Sequence, residues 1–474
     1  MTAPERPLPR GVVARYAIGS IGTGGFATLP GLVLVYYLTD TLGVAALVAG
    51  FVVTAAKVWD VLIDPFIGQR SDRALVRTGT RRRSMLIGAA LIPVGFVLTF
   101  AVPAGLGPVA SGVWVCIAFL ATATAFSVFQ VPYLALPAEL TPGYDERTRL
   151  LTWRVVVLTV AILAFGAGGP EIRDAFDDEH IGYLVMAVVA GVAIGVGMLI
   201  ATTVAPRRST RADAAAPAPS SSPAGAAAPA GGLRDGYREG IAALRRSAAF
   251  RTLLAAFVLQ GLATGLMLAG AQYIATWVLE SQSAVTLLFV ALIAPAVLCA
   301  PLWAIVARRI GKERGFAIAT VVFTLAALSL VGLIWAPGEW VYLPVGVAGA
   351  AYAGMQSLPM AMLPDVISHD AATHGADRAG SFSGVWTAGE TAGMALGATI
   401  LTIVLAATGY VESTGSEVVT QSPTVVAGIV LAFSVVPAAL AAASLIALRR
   451  YPLGRHDIQA DATVVSASTG GGIR

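Results

Sequence analysis

The sequence predicts an all-α membrane protein: twelve transmembrane helices in two six-helix bundles, with both termini cytoplasmic. Three observations carry that reading. The composition is too apolar for water, the apolar residues fall into twelve long runs, and the arginines crowd into alternate loops.

Hydrophobic residues make up 57% of the 474 positions and charged residues only 12%, against roughly 25% charged in an ordinary soluble domain. A water-facing surface of this size needs more polar groups than the chain supplies; a lipid-facing one does not. The net charge of +4 is small and spread between loops, which excludes nucleic acid as a partner. The partners expected are the bilayer and a small molecule, for a monomer in the cytoplasmic membrane. Cys116 and Cys299 sit in apolar runs and read as packing residues. The polar stretch Met1 to Arg10 carries no signal-peptide pattern.

Apolar runs long enough to cross a bilayer lie near 12–38, 45–68, 85–104, 109–138, 152–170, 181–204, 249–278, 284–307, 316–335, 341–366, 379–408 and 424–447. They divide the chain into a tail (1–11), a first bundle (12–204), a linker (205–247), a second bundle (248–448) and a tail (449–474). The segment Arg207 to Gly232 is rich in Ala, Pro and Ser and reads as a flexible linker. Arg234 to Arg246 reads as a short amphipathic surface helix, and the chain after Arg455 as disordered.

Basic residues set the orientation. The loop after span two holds Arg70, Arg73, Arg77, Arg81, Arg82 and Arg83, and the loop after span eight Arg308, Arg309, Lys312 and Arg314. The alternate loops hold only Arg173, amid Glu171, Asp174, Asp177, Asp178 and Glu179, which reads as a solvated outer face.

The halves repeat each other. Span four ends Pro132, four residues, Pro137, then Glu139; span ten ends Pro359, four residues, Pro364, then Asp365. An acid–arginine pair follows each, Glu146-Arg147 and Asp377-Arg378. Six plus six spans about a cytoplasmic linker is the pattern of a transporter that rocks two bundles around a central site. No Walker lysine motif, nucleophile elbow or zinc-ligand cluster is present, so no enzyme activity and no cofactor are expected; the energy would come from an ion gradient.

Gly68-Gln-Arg-Ser-Asp72-Arg73, continuing to Gly79-Thr-Arg81-Arg82-Arg83, resembles the signature loop of the major facilitator superfamily. Tyr36-Tyr37-Leu-Thr-Asp40, Lys57-Val-Trp59-Asp60-Val-Leu-Ile-Asp64-Pro65, Val131-Pro132-Tyr133 with Glu139-Leu-Thr-Pro142, Asp145-Glu146-Arg147-Thr148-Arg149 and Met362-Leu363-Pro364-Asp365-Val366 resemble the glycoside–pentoside–hexuronide:cation symporters, of the melibiose permease type. Vertebrate lysophosphatidylcholine symporters are similar in the same pattern, so the likeness does not fix a sugar. The resemblance implies Na⁺- or H⁺-coupled symport of a small, sugar-like solute. It also implies a cytoplasmic gate, here Asp72, Arg73, Arg81, Glu139, Arg147, Asp365 and Arg378.

Asp60 and Asp64 lie four apart on one helix face. Two carboxylates in a bilayer are costly unless hydrated, protonated or paired. The resemblance makes them the coupling-cation site; Lys57, one turn earlier, leaves open a structural ion pair, and Thr124 or Ser127 can add neutral oxygens. Gln130 stands where the family's sugar carriers hold an acid, and reads otherwise as a helix–helix hydrogen bond. Gly22-Thr23-Gly24-Gly25 stands where they hold a lysine–aspartate pair, and permits a bent or closely packed helix instead. Arg154 opens helix five, as a substrate-site arginine by resemblance or a snorkelling one.

Glu390 stands where those carriers hold a lysine; it can ligate a cation, shuttle a proton, pair with Arg154 or hold helices together. Gly389, Gly393 and Gly397 read as close helix packing. Gln272, Tyr273, Trp277, Trp386 and Gln356 are candidates to line a cavity, or else interface anchors and packing groups. His369 and His374, in the loop after span ten, read as solvated. The alternatives to cation symport are a proton-driven exporter of amphipathic compounds, a lysophospholipid carrier, and a non-transporting scaffold or sensor.

Overall fold

Lipid offers backbone groups no hydrogen bonds, so a chain this apolar satisfies them within helices, and helices are what it forms. The computed structural model describes residues 8–141, 144–206, 244–281, 283–374, 379–414 and 419–453. Its helices are α1 (Arg10–Ile18), α2 (Ser20–Tyr36), α3 (Ala46–Thr78), α4 (Arg82–Phe100), α5 (Pro108–Leu140), α6 (Tyr144–Asp174), α7 (Glu179–Thr202), α8 (Ala248–Trp277), α9 (Ala284–Ile310), α10 (Lys312–Ser329), α11 (Tyr342–His374), α12 (Ala379–Thr408), α13 (Pro423–Phe433) and α14 (Val435–Arg449). A π-turn, Tyr37–Thr41, prolongs α2. Among the described residues, eleven helices are long and apolar enough to cross a membrane, counting Arg10–Thr41, Lys312–Ile334 and Pro423–Arg449 as one each. The helix α11 is not among them, although it runs for 33 residues. Pro359, Pro364, Gln356, Ser357 and a run of glycines dilute its apolar character.

Several segments read as loops are helical. The helix α3 continues through Gly68-Gln-Arg-Ser-Asp72-Arg73 to Thr78, so most of the signature loop is helix and only Gly79, Thr80 and Arg81 turn. Its 33 residues reach about 50 Å at 1.5 Å each, against about 30 Å of hydrocarbon. Hydropathy marks the part in lipid and is blind to the helix that continues into water. For the same reason His369 and His374 fall in α11, and Arg154 lies ten residues inside α6 rather than at its start. The linker helix expected over Arg234 to Arg246, Leu244 to Arg246 excepted, and the chain after Arg455 lie outside the described residues.

Two compact units result. The first comprises Met1–Ala227, Leu268–Val290 and Ala398–Val425; the second Ala228–Met267, Ala291–Gly397 and Val426–Arg474. In the first, α4 packs on α5 and α7, α2 on α6 and α7, and α3 on α5. Glycines seat α2: a Cβ on Gly24 would lie 2.8 Å from Ala161 Cβ, and one on Gly22 2.3 Å from Met198 Cε. The stretch Gly22-Thr-Gly-Gly25 is thus a packing surface. In the second unit, α10 packs on α11 and α14. Gly389, Gly393 and Gly397 bring α12 against α8, where a Cβ on Gly397 would stand 2.5 Å from the Leu266 nitrogen.

Candidate functional site

In the first unit, α3 aligns Lys57, Asp60 and Asp64 along one face, because residues three and four apart share a side of a helix. Lys57 Nζ lies 3.6 Å from Asp60 Oδ2 and 5.9 Å from the centre of the Phe26 ring. The Asp60 side chain is 15% exposed. One oxygen of each carboxylate, Asp60 Oδ1 and Asp64 Oδ1, is buried with no hydrogen-bond partner. Ser127 of α5 faces Asp64, whereas Thr124 accepts from Trp59 Nε1 at 2.8 Å and donates to the Leu120 carbonyl. Gln130 Oε1 accepts from Thr23 Oγ1 at 2.9 Å, tying α5 to α2. Two carboxylates and one ammonium leave one negative charge over, and burial of its oxygens favours a cation or a proton beside it.

Farther along, Tyr16 and Tyr133 stack with centroids 4.7 Å apart. Tyr133 donates to the Tyr16 carbonyl at 2.8 Å, and its hydroxyl lies 3.0 Å from Ser20 Oγ. The Arg154 guanidinium lies 5.9 Å from the centre of the Tyr133 ring, and its Nε is buried without a partner. Among the described residues this arginine makes no ion pair; it rests on an aromatic face with donor capacity to spare.

A second polar assembly of the first unit went unread in the sequence. Asp40, 3% exposed, sits in the π-turn. It accepts hydrogen bonds from Tyr410, and from Thr39 Oγ1 at 2.5 Å. Tyr273 lies 2.6 Å from Thr39 Oγ1, and Trp277 Nε1 donates to Tyr410 at 2.9 Å. Burial, with the Asp40 carboxylate beside it, pushes the Tyr410 hydroxyl well above its ordinary pKa, so it remains a donor.

Nearby in the same unit, Arg173 is 5% exposed. It grips Asp174 through two bonds of 2.6 and 3.0 Å, and donates to Gln272 Oε1 at 3.1 Å and Tyr183 at 3.3 Å. The acidic loop is therefore not simply solvated at its arginine: Arg173 turns inward, where Asp174 neutralises it and tyrosine and glutamine satisfy its remaining donors. Tyr273, read as cavity-lining, is fully buried and engaged in these bonds; Gln272 is equally buried and also lines a small pocket with Tyr36, Arg173, Asp174, Phe176, Glu179 and Tyr183. The signal available was Tyr36-Tyr37-Leu-Thr-Asp40, whose carboxylate needs partners that no local pattern names.

In the second unit, α8, α11 and α12 line a small, partly open cavity bordered by Phe257, Gln260, Gly261, Thr264, Tyr352, Met355, Gln356, Glu390 and Met394. Gln356 Nε2 donates to Tyr352 at 2.7 Å. Trp386 is 2% exposed and stacks on Phe257 at 4.3 Å, with its indole nitrogen unpartnered; it backs the cavity wall rather than lining it.

Each unit closes one end with a pair of the same construction. Gly79 ends α3 at φ 71°, and Arg81 then reaches Glu139 of α5 at 2.5 Å and Ser71 at 2.8 Å. Gly311 ends α9 at φ 98°, and Lys312 then reaches Asp365 of α11 at 2.6 Å. Positive φ suits glycine because a Cβ would clash there. Arg147 donates to the Thr141 carbonyl at 3.2 Å, and Arg73 is exposed. The side chain of Asp72, and Arg378 altogether, lie outside the described residues. Glu139 and Asp365 thus meet the bases of the preceding turns. Lys312, read in the sequence only as one of a basic cluster, proves to be the counterpart of Arg81.

Comparison with known proteins agrees with this architecture. A D-xylose–proton symporter superposes with a TM-score of 0.67 at 12% identity, over 93% of this chain and 98% of that one. The nucleoside transporter NupG superposes with 0.63 at 13%, over 93% and 97%. At these identities the likeness concerns the fold. In sequence, an uncharacterised symporter of Synechocystis is 33% identical over 159 residues, which is 32% of this chain and 28% of that one. The putative glycoside/cation symporter YagG of Escherichia coli is 27% identical over 182 residues, 38% of this chain and 39% of YagG. A glucuronide carrier protein homologue of the same organism is 27% identical over 184 residues, 38% and 40%. The chain thus spans well under half the length of the curated relatives it matches. The family described as MFS/sugar transport protein, by contrast, matches residues 15–455. The chain belongs to that family of transporters, and within it to the glycoside–pentoside–hexuronide:cation symporters.

Proposed function

We propose that the protein is a multi-pass carrier of the cytoplasmic membrane that imports a small sugar-like solute together with Na⁺ or H⁺ by alternating access. The observation that carries the reading is the pair Asp60 and Asp64, one turn apart on a membrane helix, each with a buried unpartnered oxygen and with one lysine between them. A coupling cation relieves the surplus charge. Its arrival makes the helix face neutral and lets it move against low-dielectric surroundings. The relatives' names, a glycoside/cation symporter and an isoprimeverose transporter, support a sugar-type solute.

In this reading α11 crosses the membrane as span ten, which brings the spans to twelve, and the two bundles are 12–204 and 248–448, with both termini cytoplasmic. The arginine-rich ends of α3 and α9 then face the cytoplasm. Arg81 with Glu139 and Lys312 with Asp365 brace the inner gate, to which the family resemblance adds Arg147, Asp72, Arg73 and Arg378. Arg154 and Gln130 in the first unit meet the solute or relay its arrival to the cation, and Glu390 in the second contacts the solute.

Thermal unfolding of the purified protein tests this, with glycosides, uronides, lysolipids and lipophilic cations, each in Na⁺ and in choline buffer. A ligand at about a hundred times its Kd adds roughly 2.7 kcal/mol. A glycoside shift that requires Na⁺ or falling pH, and loses that requirement in Asp60→Asn, is expected. Stabilisation by lipophilic cations alone, indifferent to Asp60, would replace symport with export of amphipathic compounds.

A further inference from the structure

The cavity between α8, α11 and α12 has a one-sided chemistry. Glu390 is the single charged residue among those that line it. Gln260 also lines it and is 3% exposed. Its amide nitrogen donates to Thr320 Oγ1 at 2.9 Å and to Ser444 Oγ at 3.1 Å. Both hydroxyls spend their own hydrogens on backbone carbonyls, Thr320 on Phe316 and Ser444 on Ala441. They can therefore only accept from Gln260, which fixes which way its amide points. The oxygen Gln260 Oε1 is left buried and without a partner.

Gln356 repeats the arrangement at the opposite wall: its nitrogen donates to Tyr352, leaving its oxygen as an acceptor. Thr264 gives its hydrogen to the Gln260 or Gly261 carbonyl and keeps lone pairs. Two carboxylate oxygens, two amide oxygens and a hydroxyl oxygen thus outnumber the spare donors, the Tyr352 hydroxyl and the second N–H of Gln356. Phe257, Met355 and Met394 complete the wall as apolar surface. A second carboxylate in such a space meets a like charge and few donors; a group rich in N–H finds several acceptors.

We propose that this cavity is a subsite for the primary ammonium of an amino sugar, held by Glu390 with Gln260 Oε1 and Gln356 Oε1, and that it rejects the carboxylate of a hexuronide. This rests on the reading of the protein as a sugar-type carrier and narrows its solute. The lone carboxylate also argues against a bare metal ion here: no group of three or more acidic, histidine or cysteine side chains suited to a metal occurs among the described residues.

Ligand-dependent unfolding of the full chain in detergent tests the proposal with D-glucosamine, D-glucose and D-glucuronate, and with ethanolamine against ethylene glycol. The amines are expected to bind about tenfold tighter than their neutral counterparts, a charge-assisted bond over a neutral one, and glucuronate not to register. Glu390→Gln is expected to erase the amine preference while leaving Na⁺ dependence in place; Glu390→Asp, which keeps the charge, retains a weakened preference and guards against mere misfolding. Asp60→Asn does the reverse, removing Na⁺ dependence and sparing the amine preference. Equal binding of amine and neutral probes, no response to any of them, tight binding of glucuronate, or a Glu390→Gln variant that loses Na⁺ dependence instead would each overturn the assignment. A wild type that responds to neither Na⁺ nor pH, with the amine preference intact, would strike only the symport mechanism.

Discussion

Asp40 accepts a hydrogen bond from Tyr410, although 370 positions separate them in the chain. Ser413 adds two further bonds to the link, from its Oγ to the Asp40 carbonyl at 2.6 Å and from its amide to the Thr39 carbonyl, while Thr39 also holds Tyr273 of α8. A strand-like exchange of backbone and side-chain bonds therefore fastens the π-turn after α2 to the segment after α12. With the orientation proposed above, it lies at the outer end of the molecule.

Tyr410→Phe removes one donor from a buried carboxylate and is expected to cost about 1–3 kcal/mol. Alternating access requires this fastening to open, so the variant is also expected to populate the outward-open state more. Cysteine labelling at position 411, which is exposed beside it, against a control at position 184 would register the change. Unaltered stability and labelling would show that the bond plays no part in closure.

Arg173→Met keeps much of the volume and removes the charge. Asp174 then loses both of its bonds and Gln272 Oε1 its donor. A loss of about 3 kcal/mol is expected, the scale for stripping one partner from a buried pair. Arg173→Met with Asp174→Asn should recover part of it, and melting curves of the single and double variants measure the coupling. A solvated arginine would give no change in either.

Lys57 separates the two readings of α3. If Asp60 and Asp64 hold the coupling cation, Lys57→Met raises the local negative charge and tightens Na⁺ or H⁺ binding. If the lysine and aspartate are a structural pair, the same change lowers the melting temperature and leaves cation dependence alone. Titration of Na⁺ against unfolding temperature at fixed pH distinguishes them. Asp64→Asn, which leaves Lys57 with Asp60 as a neutral pair, is expected to abolish the response.

The two end latches should differ in strength. Arg81 and Glu139 are 11% and 6% exposed, whereas Lys312 is 39% exposed beside Asp365 at 17%. Water screens the second pair more. Arg81→Ala is expected to cost about 3 kcal/mol and Lys312→Ala about 1 kcal/mol or less. Equal losses would refute the argument from burial.

Gly265 faces a backbone carbonyl: a Cβ there would lie 2.3 Å from the Met394 oxygen. Backbone in a packed helix pair cannot give way as a side chain can. Gly265→Ala is expected to prevent accumulation of folded protein, whereas Gly107→Ala, with open space around it, is tolerated. Size-exclusion profiles of the two variants decide.

Much of this architecture is legible in the sequence because lipid writes it in a simple code of apolar runs and intervening charges. The runs located the helices, and the prolines and acids at the ends of spans four and ten announced the repeat that Glu139 and Asp365 embody. What escaped was of two kinds. Helix that leaves the bilayer, as at Gly68 to Thr78, loses its apolar signature without losing its hydrogen bonds. Long-range polar partners escaped as well: Arg173 looked solvated because its nearest neighbours in the chain are acidic, and only folding brings Tyr183 and Gln272 to it. Gln260 offers a similar lesson, since its significance lies in which of its atoms are already used.

The glycine, base and acid that end α3 and α9 are drawn twice, once with arginine and glutamate and once with lysine and aspartate. What recurs is the order of glycine, base and acid, carried on two turns of different length and backbone conformation. Each half therefore serves as the other's control experiment. A substitution made at Arg81 has its replicate at Lys312, inside the same polypeptide and the same membrane. Disagreement between the two would measure how far a duplicated device has diverged into two separate tasks.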